Sequence, residues 1–400
     1  MMGIKKLSIL PFLKMLPERM KRIKAFSGSS LPSKDRYTPN LLAKALHPQV
    51  QYAKVVRITE EAAGCRRYWL APDEEKGTTA LAWFSAGQYV SVQLQVGSVK
   101  LSRPYSLCSA PRQSLEGLYA ITVQRVDGGL ASQFIHDNWT VGTKVALSAP
   151  LGEFTYEPLR DAPTVLAVTG GSGITPIYAL AQAIADGDED ADLTILYGTR
   201  TLSDALFRQE LEALCARCSR LKLVHVLSEE QRGGCEHGFM SAEVIQKYAP
   251  AGDYSLFICG PQAMRRFLQE QLPKLGLRQK FIRNELFGEC MDPGEFPDYP
   301  GAGRPEFHIT VRMAGRTYSV TAPADATVLR SLENAGIAAP AHCRSGECGW
   351  CHSQLLGGQV YTPRSLDGRR EADKTYGYFH PCCSFPLSDL TIEVPPVPEY

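Results

Sequence analysis

No stretch of the chain stays apolar long enough to cross a membrane as a helix. No clean apolar segment with a small-residue cleavage site opens it either. Neither sign of charge dominates: 43 basic and 42 acidic residues leave a net charge of +1. No global field therefore recruits nucleic acid or acidic partners. Internal repeats are lacking too. Cysteine is the exception to this plainness, with twelve residues, but they are too unevenly placed in too long a chain for a secreted disulfide scaffold. Reduced thiols with a subset on metal fit better, and a cytoplasmic location is expected.

At 400 residues the chain exceeds one ordinary core, so several domains are expected. Residues 1–50 form a basic extension and linker. Up to Phe26 it carries Lys5, Lys6, Lys14, Arg19, Lys21, Arg22 and Lys24 against Glu18 alone. Ile9, Leu13, Leu16, Met20 and Ile23 recur at helical spacing, interrupted by Pro11 and Pro17. Such a segment suits an anionic membrane surface or a partner, or is simply a loosely packed extension. Residues 27–40 read as linker.

Residues 51–158 alternate as short β-strands (YVSVQLQV, LYAITVQRV), which predicts a small antiparallel barrel. Over 159–287, apolar strands (TVLAVTG, LTILYGT, LKLVHVL, YSLFICG) alternate with helical patterns (ITPIYALAQAIAD, DALFRQELEALCARC). That rhythm predicts an α/β parallel-sheet domain with ligands at the carboxyl ends of its strands. Residues 288–304 are a Gly- and Pro-rich linker. Residues 305–400 form a compact α+β unit, with two strands, a helix over 328–335, and then a cysteine loop.

In that loop Cys343, Cys348 and Cys351 are spaced C-x4-C-x2-C, with Cys382 and Cys383 well downstream. This is the plant-type spacing for a [2Fe–2S] cluster on four thiolates. Structural zinc usually takes two short knuckles of two ligands each, and a disulfide does not suit a reducing compartment. CRSGECGWC resembles the plant-type ferredoxin domain, a β-grasp fold. That family's fourth ligand opens a motif ending in Pro. Cys382-Cys383-Ser384-Phe385-Pro386 matches it with Cys382 as ligand, although Cys383 stands at a normally polar position.

Upstream, Arg103-Pro104-Tyr105-Ser106 follows a strand. Arg offers a fixed cation for phosphate, Tyr a flat face and Ser a polar contact. Gly128, Gly129, Leu130, Ala131 and Ser132 follow, where glycines permit close approach and a helix start presents N–H groups to an anion. With GQYV at 87–90 and PLGEF at 150–154, the order resembles the flavin barrel of the ferredoxin–NADP reductase superfamily. The resemblance implies FAD, with FMN as alternative. It places Arg103 on the flavin phosphates, Tyr105 on the ring, Ser106 near N5, and 129–132 around the pyrophosphate.

Residues 168–176 (VTGGSGITP) join a strand to a helix without forming the G-x-G-x-x-G fingerprint. With Cys259-Gly260-Pro261 and Met264 they resemble the NAD(P)H domain of that superfamily. Carried over, Gly171, Ser172, Gly173, Ile174, Thr175 and Pro176 bind the pyrophosphate, and Cys259 lies near the nicotinamide. Ser228-Glu229-Glu230 stands where NADPH-users often have Ser-Arg. An acid there favours NADH, with Arg200, beside Thr199, and Arg232 as potential counterweights. Glu285 and Phe287 resemble a segment passing close to the flavin in relatives.

The domain order resembles reductase components: hydride from NADH (or NADPH) to FAD, then single electrons through the cluster to an external redox protein such as an oxygenase. The alternatives are an electron-transfer subunit of a larger flavoenzyme complex, or a redox- or NADH-sensing module that docks by its basic N-terminus.

Overall fold

The computed structural model describes residues 10–26, 37–97, 99–286, 288–289 and 292–397. It divides into two compact units, 1–46 and 47–400. The first holds α1 (Leu10–Phe26) and α2 (Thr38–Leu46). α1 continues through Pro17, and Leu16, Met20 and Ile23 share one of its faces. Residues 38–40, expected in a linker, instead open α2: Pro39 sits in its first turn, where no intrahelical N–H is needed. Residues 27–36 of that linker lie outside the described residues. No helix among the described residues is long and apolar enough to cross a membrane.

The second unit carries three sheets. The first is antiparallel: β1 (Gln51–Glu60), β2 (Cys65–Pro72), β3 (Tyr89–Val96), β4 (Val99–Ser106), β5 (Tyr119–Gln124) and β6 (Lys144–Leu147). Its order is β4-β3-β6-β1-β2-β5. A bridge from Leu107 to Ile121 draws the two edge strands together, so the sheet curls around Val55, Leu70, Val90, Ile121 and Leu147. α3 (Leu130–Asn138) follows β5. Gly87 is needed where 87–90 meets 150–154: at φ +102° a Cβ there would strike the Phe154 carbonyl.

The second sheet is parallel: β7 (Thr164–Gly170), β8 (Asp192–Thr199), β9 (Leu221–Leu227), β10 (Glu236–His237), β11 (Ser255–Cys259) and β12 (Ile282–Glu285). Its order, β10-β9-β8-β7-β11-β12, reverses direction at β7. The crevice beyond β7 and β11 is thus the topological switch point, where such sheets bind ligands. α4 (Ile174–Asp186), α5 (Arg208–Arg217), α6 (Ala242–Tyr248) and α7 (Gln262–Gln271) pack on its faces. The helical pattern read from Asp204 starts only at Arg208, because Phe207 adopts φ +55° and breaks the run.

The third sheet is mixed: β13 (Glu306–Met313), β14 (Arg316–Pro323), β15 (Ser353–Gly357), β17 (Tyr378–Phe379) and β19 (Leu390–Glu393). Its order is β14-β13-β19-β15-β17, with β13 parallel to β19. α8 (Val328–Asn334) packs its Val328 and Leu332 on this sheet. A short pair, β16 (Val360–Tyr361) and β18 (Phe385–Pro386), and α9 (Glu371–Thr375) complete the unit.

Candidate redox site

Strand register brings Cys259 of β11 level with Thr169 of β7 on one side and Glu285 of β12 on the other. All three therefore stand at the carboxyl edge of the parallel sheet. The turn after β7 packs backbone against backbone. A Cβ on Gly173 would meet the Cys259 carbonyl and come 2.7 Å from Gly260 Cα, and one on Gly170 would reach Met264 Sδ at 2.8 Å. Gly171, at φ +52°, has open space where a Cβ would project. Ser172 and Ile174 continue this turn into α4, and Thr175 Oγ1 donates to Ser172 O at 2.9 Å, closing its first turn. Pro176 is buried in α4, and Pro261 caps α7. Gly171 thus leaves one open cradle at a helix start, a fit to a pyrophosphate.

At the far side, Thr199 Oγ1 donates to Thr201 O, and Arg200 is well exposed, 3.8 Å from Asp204. The backbone N–H groups of Ser228 and Glu229 donate to the Thr199 and Arg200 carbonyls. Glu230 accepts from Leu202 N–H at 2.8 Å and pairs with Arg232 at 3.4 Å. Arg232 is thus already engaged by an acid.

In the barrel, Tyr105 is half-buried, and its phenol is pushed up by burial despite Arg103. Ser106 Oγ is buried without a partner, as is Glu285 Oε2. Both are buried polar atoms that a polar flavin ring would satisfy. Burial, then Glu347, pushes the Glu285 carboxyl well above its usual range. Burial likewise raises the Cys259 thiol. Gly152, at φ +103°, lets the Tyr89 ring and Glu285 close over it. In the loop between β5 and α3, Gly128 is left-handed and Gly129 caps α3, whose first residues are Leu130 and Ala131. Ser132 Oγ accepts from Val126 N–H at 3.2 Å, so its hydroxyl closes the loop. Arg103 Nη1 donates to Ser102 O at 2.8 Å and lies 3.5 Å from Glu333 of α8. Phe287 lies outside the described residues.

The structure gathers the four cysteines. Cys351 Sγ and Cys382 Sγ are 3.4 Å apart. The thiols of Cys348 and then Cys382 hydrogen-bond to Cys343 and hold its thiol well below the usual range. Backbone N–H groups of Ser345 and Cys348 point at Cys343 Sγ (3.5 and 3.3 Å), and that of Trp350 at Cys348 Sγ (3.5 Å). Left-handed Gly346 and Gly349 turn the loop inward. Cys383 Sγ instead faces the carbonyls of Leu366 and His380. Sulfurs with N–H groups aimed at them are the donor set of a thiolate-held cluster. Among the described residues no three His, Cys, Asp or Glu side chains close on a single-ion point.

Sequence reasoning missed the charges that join these parts. Arg344, buried and at φ +60°, is bidentate to Glu333 (2.8 Å twice) and donates to Glu289 at 2.9 Å. Burial alone would raise the Glu289 carboxyl, but Arg344 and Thr327 hold it below its usual range. Ser102 Oγ donates to Ala341 O at 2.6 Å. Tyr89 of β3 is raised by burial and then by Cys348 and Cys343, which places the barrel within electrostatic reach of the cysteine loop. The position of Arg344 inside the loop was the one available signal. Nothing in the sequence marks Glu289 or Glu333.

Three domain families match in chain order: the oxidoreductase FAD-binding domain over residues 53–156, the oxidoreductase NAD-binding domain over 167–270, and the 2Fe-2S iron-sulfur cluster binding domain over 311–387. The ferredoxin reductase component of 3-ketosteroid-9-alpha-monooxygenase from Mycobacterium tuberculosis is 32% identical, covering 86% of this chain and 95% of that one. The glycine betaine monooxygenase reductase subunit of Chromohalobacter salexigens is 26% identical over 85% of this chain and 94% of its own. In fold, the chain is similar to phthalate dioxygenase reductase, with a TM-score of 0.61 and 24% identity over 87% of this chain and 98% of that one. Three matched domains in this order, on a chain with a 32% identical relative along nearly its whole length, place it in the ferredoxin–NADP reductase superfamily. The protein belongs to its NAD(P)H-dependent flavin iron–sulfur reductases, which pass electrons through FAD and a [2Fe–2S] cluster to an external acceptor.

Proposed function

We propose that this chain is the reductase component of an oxygenase system, that it draws on NADH in preference to NADPH, and that its cofactors sit on the residues described above. The reading rests on one observation above all: the orphaned Ser106 and Glu285 oxygens, the open Gly171 turn and the four-sulfur loop occur in one compact unit. In this reading Cys343, Cys348, Cys351 and Cys382 hold the cluster. Tyr105 and Ser106 orient the flavin ring, Arg103 and 128–132 face its phosphates, and 171–176 receive the nicotinamide pyrophosphate.

Bound there, the flavin accepts an electron pair as hydride and releases electrons one at a time. The protein contributes placement. Cys259, uncharged in its buried position, would give the nicotinamide a small apolar neighbour, and Tyr89, packed over Gly152, would help exclude water from the flavin. Glu229 favours a ribose hydroxyl over a phosphate, and Arg232 is held by Glu230.

Two relatives, both reductase parts of monooxygenases, support an oxygenase as acceptor. The test is steady-state turnover with a purified candidate oxygenase component from the same source: NADH-dependent product formation is expected. NADH oxidation with dye but no electron delivery to that oxygenase would exclude it. Replacing Glu229 by Gln should narrow the preference for NADH over NADPH by about tenfold. An unchanged ratio would remove Glu229 from the reading.

We also infer that α1 lies on an anionic membrane surface, because Met20 and Ile23 are exposed on one face beside Arg19, Lys21, Arg22 and Lys24. Sedimentation with phosphatidylserine vesicles, lost at high salt and on deleting residues 1–36, checks it.

A further inference from the structure

Two arginines and two glutamates meet where the barrel, the segment after β12 and the cysteine loop converge. Glu289 belongs to the segment that also carries Glu285. Its backbone carbonyl accepts from Gln262 Nε2 of α7 at 3.3 Å, which ties it to the parallel-sheet domain. Its carboxylate points the other way. One oxygen accepts from Arg344 Nη2 at 2.9 Å, and the other takes the hydroxyl of Thr327, the residue that caps α8. Arg344 is adjacent to Cys343 in the chain and has 1% of its side chain exposed. Arg344 is also bidentate to Glu333 and donates to Ser102 O of β4 at 3.5 Å, and Glu333 in turn lies 3.5 Å from Arg103 on β4.

The charges balance, two against two, and both glutamates and Arg344 are nearly sealed from water. A buried ion pair of this kind contributes little net stability but enforces one arrangement, since any shift strands a charge. The arrangement it enforces is the seat of the cysteine loop against the barrel.

We propose that Glu289 is a positioning residue for electron transfer from flavin to cluster, fixing the cysteine loop through Arg344 at one distance from the flavin barrel. The step concerned moves one electron from the NADH-reduced flavin to one ferric iron, which becomes ferrous. No bond is made or broken. The proposal rests on the cofactor placement given above.

The test uses the full-length holoprotein with Glu289→Gln, which keeps size but removes the charge and one of the two acceptor oxygens. After anaerobic mixing with NADH, flavin bleaching should keep its wild-type rate while cluster bleaching slows by about tenfold or more. Hydrogen exchange over 340–352 should rise, and Glu289→Asp should restore part of the rate and of the protection. The cluster's EPR signal and reduction potential should stay unchanged. Equal cluster rates in wild type and variant, equal slowing of both phases, or a shifted potential would each overturn the proposal. If Glu289→Gln loses its cluster, Glu289→Asp with an intermediate rate and raised exchange carries the same test, and a wild-type rate there refutes it. Should the wild-type protein bleach neither chromophore, it is the cofactor placement that fails.

Discussion

At the crevice beyond β7 and β11, Gly173 lets its turn close on the Cys259–Gly260 backbone, and Gly170 and Gly260 leave room for the Met264 side chain. At the junction of barrel and cysteine loop, Arg103, Arg344, Glu289 and Glu333 are brought together with their charges matched. The first surface is set by sterics within two short turns. The second is set by long-range electrostatics between segments up to 230 residues apart. The crevice is shaped by close packing of short turns, whereas the junction is locked by charges that cannot slide.

The largest effect should come from the cysteines, because it separates the two ends of the electron path. Cys382→Ser should abolish the [2Fe–2S] absorbance while NADH still bleaches the flavin. Cys383→Ser should keep the cluster, since its sulfur faces backbone carbonyls. The reverse result would move the fourth ligand to Cys383.

Next in size is a contrast inside the glycine turn. Gly173→Ala would drive a methyl into the backbone of Cys259 and Gly260. It should cost about 1–3 kcal/mol and slow flavin reduction by NADH by about a hundredfold, leaving the cluster spectrum intact. Gly171→Ala meets open space but must hold φ +52°, a strain of about 1–2 kcal/mol. It should weaken NADH binding with a smaller change in the reduction rate. Similar losses in both would mean that the turn is not built by close backbone packing.

On the charged side, Glu333→Gln leaves Arg344 short of a partner in a buried place, and about 3–5 kcal/mol of stability in the third-sheet unit should be lost. A thermal melt followed by cluster absorbance reads it. The smallest effect is a pH dependence. The Glu289 carboxyl is held below its usual 4.5 by Arg344 and Thr327 against burial. Its stabilising contribution is therefore complete above about pH 4.5 and disappears as pH falls through the lower folded value. Glu289→Gln should flatten this acid limb of the stability profile and leave the limb near neutrality alone.

The contrast between the two surfaces also explains what could be read from the chain. Cys343, Cys348, Cys351, the 171–176 turn and the Arg103–Ser106 strand end are local patterns whose spacing reflects local geometry. The sheet types followed from strand rhythm in the same way. A left-handed Phe207 leaves no mark in a helical pattern, so α5 starts at Arg208 rather than where the pattern begins. Thr38, Pro39 and Asn40 suit a linker and a helix start alike, so the sequence does not separate the two at α2. Arg103 shows the limit most clearly. Its residue type predicts an anion partner, but not that Glu333, far along the chain, lies beside it. Glu289 and Glu333 were invisible for the same reason: their role exists only once three segments meet.

The most direct test is one anaerobic stopped-flow trace of the wild-type holoprotein mixed with NADH, followed at flavin and cluster wavelengths together. Flavin bleaching followed by cluster bleaching, with no external acceptor present, is the predicted result. A flavin that is fully reduced while an intact cluster stays oxidised would contradict the account.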